Sequence, residues 1–560
     1  MCTVLCRVVA VGAVLFVLTI ERAAAQQPLA PLPPLAPQVS PQDDLKARVE
    51  RLEQQNQALQ DRLRSMSGAS PAGIATGGGP GPDKLQDILK DPLASEEQAK
   101  REAERKEAEK RQQEIDGYVI GSQLGLTARW RPDSGVWLET PNQDFRMHFG
   151  FWMQWDTVSF TQSNSLKPTN QIGDLQDGTY FRRIRPFWEG TAYDTIEWNL
   201  ILALEQVGAV GANSNALINL DEFWTGIYGV PLIGRVRVGH MKVPQGLEGN
   251  QMTSSRATTF QENAAYTDAF YRVFGTGVQI ANTAFEKRMT WQAMGYRDDF
   301  ARGNVGADFG DGQYAGTGRL TGLLIDNADG RELLHVGLSG TWRRAPRPEA
   351  AGVLGPNQVR LQARPELRDS FGGFGDNVNL PGNSVRMVDT GAINASSTTV
   401  LGSELAYIRG PFSTQAEWAM TYVNNAAVGT GPASSTRSFN GGYVAVSYFL
   451  TGETRNYDKE FGTFARNYVN PFTNFWWKKG TIGLGAWEVA VRYSYLNLND
   501  GPVQGGILSG TTVGLNWYWN PNMKIQFEYL DDQRYHKGTA NGGTAAGAVQ
   551  GFGTRVQIQF

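Results

Sequence analysis

Cysteine is nearly absent from this chain. Its two cysteines, Cys2 and Cys6, both lie at the extreme N-terminus. Everything after them is therefore without disulfide staples, thiolate metal ligands or cysteine nucleophiles. Histidine is scarce too, with four residues: His148, His240, His335 and His536. No HExxH helix, GxSxG elbow, P-loop or dinucleotide fingerprint accompanies them, so hydrolase and nucleotide chemistries lack their residues, and no enzyme activity is expected. A basic excess is also missing. Lys and Arg number 52 against 55 Asp and Glu, a net charge of −3, which points away from nucleic acid. After the N-terminal leader no apolar run reaches the roughly 18 residues that a membrane helix needs. A mean hydropathy of −0.36 does not exclude a membrane β-barrel, whose strands alternate apolar and polar residues. No cofactor and no metal is expected. The loop DDFARGNVGADFGDG gathers Asp298, Asp308 and Asp311 but lacks calcium-loop spacing.

The N-terminal fifth is organised in blocks. Residues 1–25 read as a secretory signal: Arg7, an apolar run from Val8 to Ile20, and Ala23-Ala24-Ala25 before a cleavage point at Gln26. Residues 26–42 are Pro-rich and extended. Residues 43–67 follow a heptad. Leu45, Leu52, Leu59 and Met66 occupy one core position and Val49, Asn56 and Leu63 the other. The buried Asn is a register-setting device of coiled coils. Residues 68–117 are a Gly/Pro linker followed by a charged helix with almost no apolar face. This region is expected to stand in the periplasm, where the coiled coil could reinforce an oligomer or reach the cell wall.

Residues 118–560 form the next block, and from about Gln143 the period switches to two. In QDFRMHFGFWMQWDTVSF, Phe145, Met147, Phe149, Phe151, Met153 and Trp155 share one face. Arg146, His148, Gly150, Trp152, Gln154 and Asp156 share the other. Such alternation over a dozen residues suits a tilted membrane strand. Sixteen such segments can be counted, the last ending at Phe560. Short turns such as 194–195, 285–288 and 520–522 alternate with long connections at 161–177, 243–275, 298–314, 345–397 and 533–549. The expected fold is an all-β, 16-stranded antiparallel transmembrane barrel in the bacterial outer membrane, preceded by the coiled-coil helix. Its terminal aromatic, Phe560, is the form that outer-membrane barrels present to their assembly machinery. One connection breaks the pattern: 451–483 falls on the short-turn side and is long.

The stretch YFRRIRPFWEG (180–190) frames the functional question. Strand parity sends Arg183 and Arg185 into the lumen with Glu189, and the aromatics read as the lipid wall. Arg182 has lipid-side parity, so it must sit at a rim or be turned inward by a bulge. Arg235 and Arg237 repeat the pattern opposite Val236 and Val238. Lumen arginines attract anions and bind phosphate or carboxylate through planar donors. The alternative role is to pair with lumen acids such as Glu189, Glu197 or Glu205 and brace the wall. The loop at about 243–275 is the candidate constriction, with Glu248, Ser254, Ser255, Arg256, Glu262, Asp268 and Arg272.

Six ordered blocks then carry a resemblance: FRRIRPFWEGTAYDTIEWNL, RVRVGHMKVPQGLE, MTSSRATTFQENAAY, GGYVAVSYFLTGETRNY, GAWEVAVRYSYLNLND and TVGLNWYWNPNMKIQFEYL. Together they resemble the phosphate-selective porin O and P family over about residues 140–560. The resemblance implies a trimeric outer-membrane channel with a basic anion path and an inward third loop. Arg182 and Arg183 match the family's paired arginines. Three positions depart from it. GLEGNQMTSSR lacks the constriction lysine and keeps only Arg256. Trp152 and Asn263 stand where such members carry arginine. The resulting expectation is passive diffusion of small hydrophilic solutes, biased towards phosphate-like anions. The alternative is a structural barrel that tethers the envelope through its coiled coil.

Overall fold

The computed structural model describes residues 125–131, 135–204, 218–248, 259–297, 314–327, 330–345, 357–368, 386–427, 435–466, 468–478, 481–535 and 544–560. The signal, Pro-rich, coiled-coil and charged segments lie outside these residues, as do Ser254, Ser255 and Arg256 and the aspartates at 298, 308 and 311.

Sixteen antiparallel strands close on themselves. They are β1 (Phe145–Gln162), β2 (Gly178–Ala192), β3 (Ile196–Ala203), β4 (Asn219–Val230), β5 (Gly234–Lys242), β6 (Phe274–Ala284), β7 (Met289–Arg297) and β8 (Tyr314–Asn327). They continue with β9 (Glu332–Arg344), β10 (Ser397–Arg409), β11 (Phe412–Ala426), β12 (Ser435–Phe449), β13 (Ala486–Asp500), β14 (Val503–Asn520), β15 (Met523–Tyr535) and β16 (Gly547–Gln559). Each pairs with its chain neighbour, and β16 pairs with β1 from Val549↔Gln162 to Gln559↔Trp152. No strand edge is left between them, which is what a barrel in lipid requires.

The alternation read from the sequence holds strand by strand. On β8 and β9, Leu320, Leu324, Leu338 and Trp342 are exposed, while Arg319, Thr321, His335 and Thr341 are buried. On β13 and β14, Val489, Val491, Tyr493 and Val513 face out; Glu488, Arg492, Ser494, Thr512 and Asn516 face in. The outer surface is thus an apolar band, and the polar set lines the interior.

Short turns gather on one rim, which we call the turn rim. The opposite, loop rim carries the long connections, with one exception. The β13–β14 connection is residues 501–502, because both strands run further than their alternation suggests. An added hairpin, Thr127–Arg131 with Gly135–Glu139, extends the sheet at the turn rim. Its second strand pairs Val136↔Phe149 to Glu139↔Arg146, on the edge of β1 that lies just past the end of β16. Phe560 meets this junction through reciprocal backbone bonds with Phe151. Gly135, at φ +87°, passes so close that a Cβ would lie 2.7 Å from the Phe560 carbonyl carbon. Glycine is required there on both counts.

Inside the loop-rim half sits an apolar core. The 243–273 connection contributes Phe260, Tyr266 and Phe270, the last two on helix α1 (Ala265–Phe270). The 345–396 connection contributes Leu361, Met387, Val388 and Ile393. Two short ladders, Gln358–Val359 with Ile393–Asn394 and Gln362–Ala363 with Val388–Asp389, hold that second insert together.

The long 451–485 connection divides in two. Its first half folds into the barrel from the turn rim as a small hairpin, Tyr457–Asp458 against Thr463–Phe464. Its second half forms another hairpin, Trp476–Lys478 against Thr481–Gly483, whose base packs on the outside of the wall.

Candidate functional site: an arginine–carboxylate lattice in the lumen

The three arginines of β2 all point inward and are buried. The β1–β2 register shifts between Gln154↔Arg183 and Trp155↔Phe181, so Arg182 is the extra residue of a bulge. The bulge turns it inward against its parity. Of the aromatics in that stretch, Phe181 faces out, but Tyr180 and Phe187 are buried in the lumen. That corrects the expectation that all of them form the lipid wall. Phe187 fills the space opposite Gly150 and packs on Trp152, with ring centroids 5.3 Å apart.

Arg182 donates from Nε and Nη2 to Glu262 of the 243–273 loop, at 2.8 and 2.9 Å. Arg555 of β16 donates two 2.7 Å bonds to Asp156 of β1 and a third, at 2.9 Å, to Glu262. It also donates to the carbonyl of Gln261. Arg368 of the second insert lies 3.5 Å from Glu262 and 3.1 Å from Asp268, and Arg364 is 3.7 Å from Asp268. Arg183 donates to the neutral Gln154 at 2.7 Å. In this cluster five guanidinium groups, Arg182, Arg183, Arg364, Arg368 and Arg555, face three carboxylates, Asp156, Glu262 and Asp268. Burial alone would raise the Glu262 carboxyl; the guanidinium groups of Arg182, Arg555 and Arg368 outweigh it and hold it well below the usual range. Arg185 is matched one to one by Asp221, at 2.6 Å.

Carboxylates of the wall and of the second insert pin the inserted loop through its backbone. Leu247 and Glu248 N–H both donate to Glu417, at 2.8 and 2.7 Å. Gln261 N–H donates to Glu528 and Ala265 N–H to Glu366, at 2.8 and 2.7 Å. Arg492 ties Glu366 to β13 at 2.7 Å and donates to the Glu262 carbonyl. Glu248 itself accepts from Ala264 N–H at 3.0 Å. Arg272 stands at the foot of the loop, half-buried.

Burial pushes the Glu248 carboxyl up to about 7, against the pull of Arg492 and Arg455 and with the push of Glu366. A raised folded-state value means that the anchoring is complete below the ordinary carboxyl value of about 4.5. It is lost as pH rises through about 7. Amide hydrogen exchange over residues 259–271 should therefore be slower at pH 5 than at pH 8 after correction for the intrinsic rate. Glu248→Gln should reduce that difference; an unchanged difference would place the sensitivity elsewhere.

The inward hairpin of 451–485 meets the wall around much of its circumference. Arg319 of β8 donates to the Phe461 and Gly462 carbonyls at 3.0 and 2.7 Å while gripping Glu404 at 2.8 and 3.0 Å. Lys459 pairs with Asp326 at 2.6 Å, and Glu460 with both Arg235 and Lys287 at 2.7 Å. Arg466 donates to Glu189 at 2.7 Å, and the Tyr457 hydroxyl lies 2.6 Å from His335 Nδ1. Tyr468 bonds Glu488 at 2.9 Å and lies 2.5 Å from Thr259 Oγ1, so the inserts from the two rims touch.

Between this hairpin and the β2–β6 wall a cavity of about 350 Å³ remains. Arg131, Arg146, Arg235, Arg237, Lys242 and Arg466 line it, against Glu189, Glu197, Glu222 and Asp458. Arg237 is paired with Glu197 at 2.8 Å and lies 4.0 Å over the Trp224 ring. Arg235 and Arg237 thus both brace and charge the wall. Burial raises the Asp458 carboxyl. His148 stacks on Trp137 and lies 3.0 Å from Glu189, while His240 sits by Thr276 at 2.9 Å.

Arg319, Arg492 and Arg555 are as central as the β2 cluster yet were not singled out from the sequence. The signal was present. Each sits between outward residues, Arg555 beside Val556 and Arg492 between Val491 and Tyr493.

Comparison with known proteins fits this geometry. The sequence profile of the phosphate-selective porin O and P family matches residues 148–560. The chain belongs to that family. It is 27% identical over 445 residues to porin O of Pseudomonas aeruginosa, covering 76% of this chain and 91% of that one. It is 30% identical over 359 residues to an uncharacterised protein of Caulobacter vibrioides, 63% of this chain and 62% of that relative's length. Among solved structures, an anion-selective porin from Comamonas acidovorans superposes with a TM-score of 0.43 at 13% identity, covering 74% of this chain and all of that one. Family membership places this barrel among outer-membrane porins.

Proposed function

We propose that the chain is a passive diffusion channel for small hydrophilic solutes with a preference for anions of phosphate or carboxylate type. It carries solutes without turning them over, works as a homotrimer, and holds its N-terminal region in the periplasm. The observation that supports this best is the excess of cations over carboxylates around the turn-rim cavity, six against four. At the inserted loop the Arg182–Arg555 cluster is rich in arginine, while Glu248, Glu366, Glu417 and Glu528 beside it make that zone mixed in sign. Planar guanidinium donors held on a rigid wall exchange bonds with a passing oxyanion at little ordering cost. Most of the arginines are also engaged by carboxylates, so the preference is moderate and mixed in sign.

The test is the reversal potential in a KCl gradient. Arg183→Gln with Arg237→Gln removes two guanidinium charges from the lumen and unbalances Glu197. The anion-to-cation permeability ratio should fall about two- to fivefold. An unchanged ratio would show that these side chains do not set it. The direct contact between the two inserts, Thr259 to Tyr468, favours a second reading: a closed barrel that tethers the envelope. That reading requires no unitary conductance.

A further inference from the structure

The outward half of the 451–485 connection has no role in the lumen. It begins at Phe472, and its base is fastened to the outer wall. Phe475 N–H donates to the Trp519 carbonyl at 2.6 Å. The indole N–H groups of Trp487 and Trp517 both donate to the Leu484 carbonyl, at 3.2 and 2.8 Å. Those two indoles stack 4.9 Å apart on the outward face of β13 and β14, and the Phe475 ring meets Trp517 edge-on at 4.8 Å. From this base the hairpin presents Trp477 and Phe472, 83% and 65% exposed, with Ile482 and Leu484 at 64% and 60%.

Four large apolar side chains this exposed on one short hairpin are costly in water. Their neighbours identify the medium. Below them the outward faces of β13 and β14 (Val489, Val491, Tyr493 and Val513) form part of the lipid-facing band. The hairpin continues that band at the turn rim, where tryptophans favour the boundary between acyl chains and headgroups.

We propose that residues 472–484 are a membrane-interface anchor. The hairpin seats Trp477, Phe472 and Ile482 in the headgroup–acyl boundary of the leaflet at the turn rim and so holds the connection whose other half fills the lumen. The proposal rests on the outer-membrane barrel reading, and the test separates the two.

In the full chain with Cys2 and Cys6 changed to Ser, Trp477→Cys, Ile482→Cys and Val491→Cys each receive a polarity-sensitive fluorophore. The proteins are reconstituted in phosphatidylethanolamine–phosphatidylglycerol vesicles, and emission is read against a shallow lipid-borne nitroxide and against aqueous iodide. Val491, on the barrel band, reports on the barrel reading alone. The anchor predicts that the label at 477 and at 482 loses about half its emission to the lipid nitroxide, and resists iodide. Quenching by iodide with no lipid quenching at 477 and 482, while 491 is lipid-quenched, would overturn the anchor and leave the barrel standing. Protection from both quenchers, with disulfide crosslinking between copies at 477, would also overturn it, making the hairpin a subunit contact.

Discussion

Excision of the inward and outward hairpins together should raise single-channel conductance about two- to fivefold, because cross-section governs flow through a porin lumen. The substitution is a two-residue Asn-Gly turn joining Leu450 directly to Ala486. The geometry permits it, since Leu450 N–H already donates to the Trp487 carbonyl at 2.8 Å, and Asn-Gly suits a tight hairpin. The barrel loses no strand. What it loses is a segment fixed by Arg319, Asp326, His335, Gln415 and Glu488 of the wall. Planar-bilayer recording checks the outcome. Conductance equal to that of the parent would mean that solutes do not pass alongside the inserted hairpin.

Arg555→Met should be the most destabilising single change in the lumen. Its guanidinium is fully buried on the seam strand, bonded to Asp156 across the β16–β1 junction and to both Gln261 and Glu262 of the 243–273 loop. Methionine fills a similar volume, so the loss is electrostatic. Asp156 keeps its buried charge without that partner, and removing one side of a buried pair costs about 3–5 kcal/mol. Guanidinium unfolding in detergent reads that loss. The double change Asp156→Asn, Arg555→Gln restores most of it, because neutral amides can satisfy each other across the same seam. If the double change is as unstable as the single, the pair is not what holds the seam. The 243–273 loop loosens as well, and open-channel noise should increase in the single variant.

The barrel was legible in the sequence because alternation is a local property. Each strand reports its own faces, and closure followed from an even count and from turns gathering on one rim. The limits of legibility are equally physical. The bulge at Arg182 depends on a register slip against β1, which no pattern within β2 contains. The two-residue connection at 501–502 was hidden because Asn and Gly at the strand ends read as loop. The 451–485 segment gave no period because the ladder of its inward half is only two residue pairs long and side chains of separate strands hold the rest. The partners of the lumen arginines are the least legible feature. Asp156 and Arg555 lie at opposite ends of the barrel sequence and meet only because the barrel closes.

That partnership decides how the cluster works. Arginines tied to Glu262, Asp221 and Glu197 cannot act as a bare cationic ladder. In the channel proposed above they form a charged wall of mixed sign, and the anion preference rests on its small cationic excess.

Reversal potential, measured on single channels in a KCl gradient across a planar bilayer, tests this most directly. The wild-type protein should give discrete conducting steps whose zero-current voltage has the sign of chloride preference. Cation-preferring steps would contradict the excess of lumen arginines as the selectivity element, and a bilayer that stays silent would contradict the channel itself.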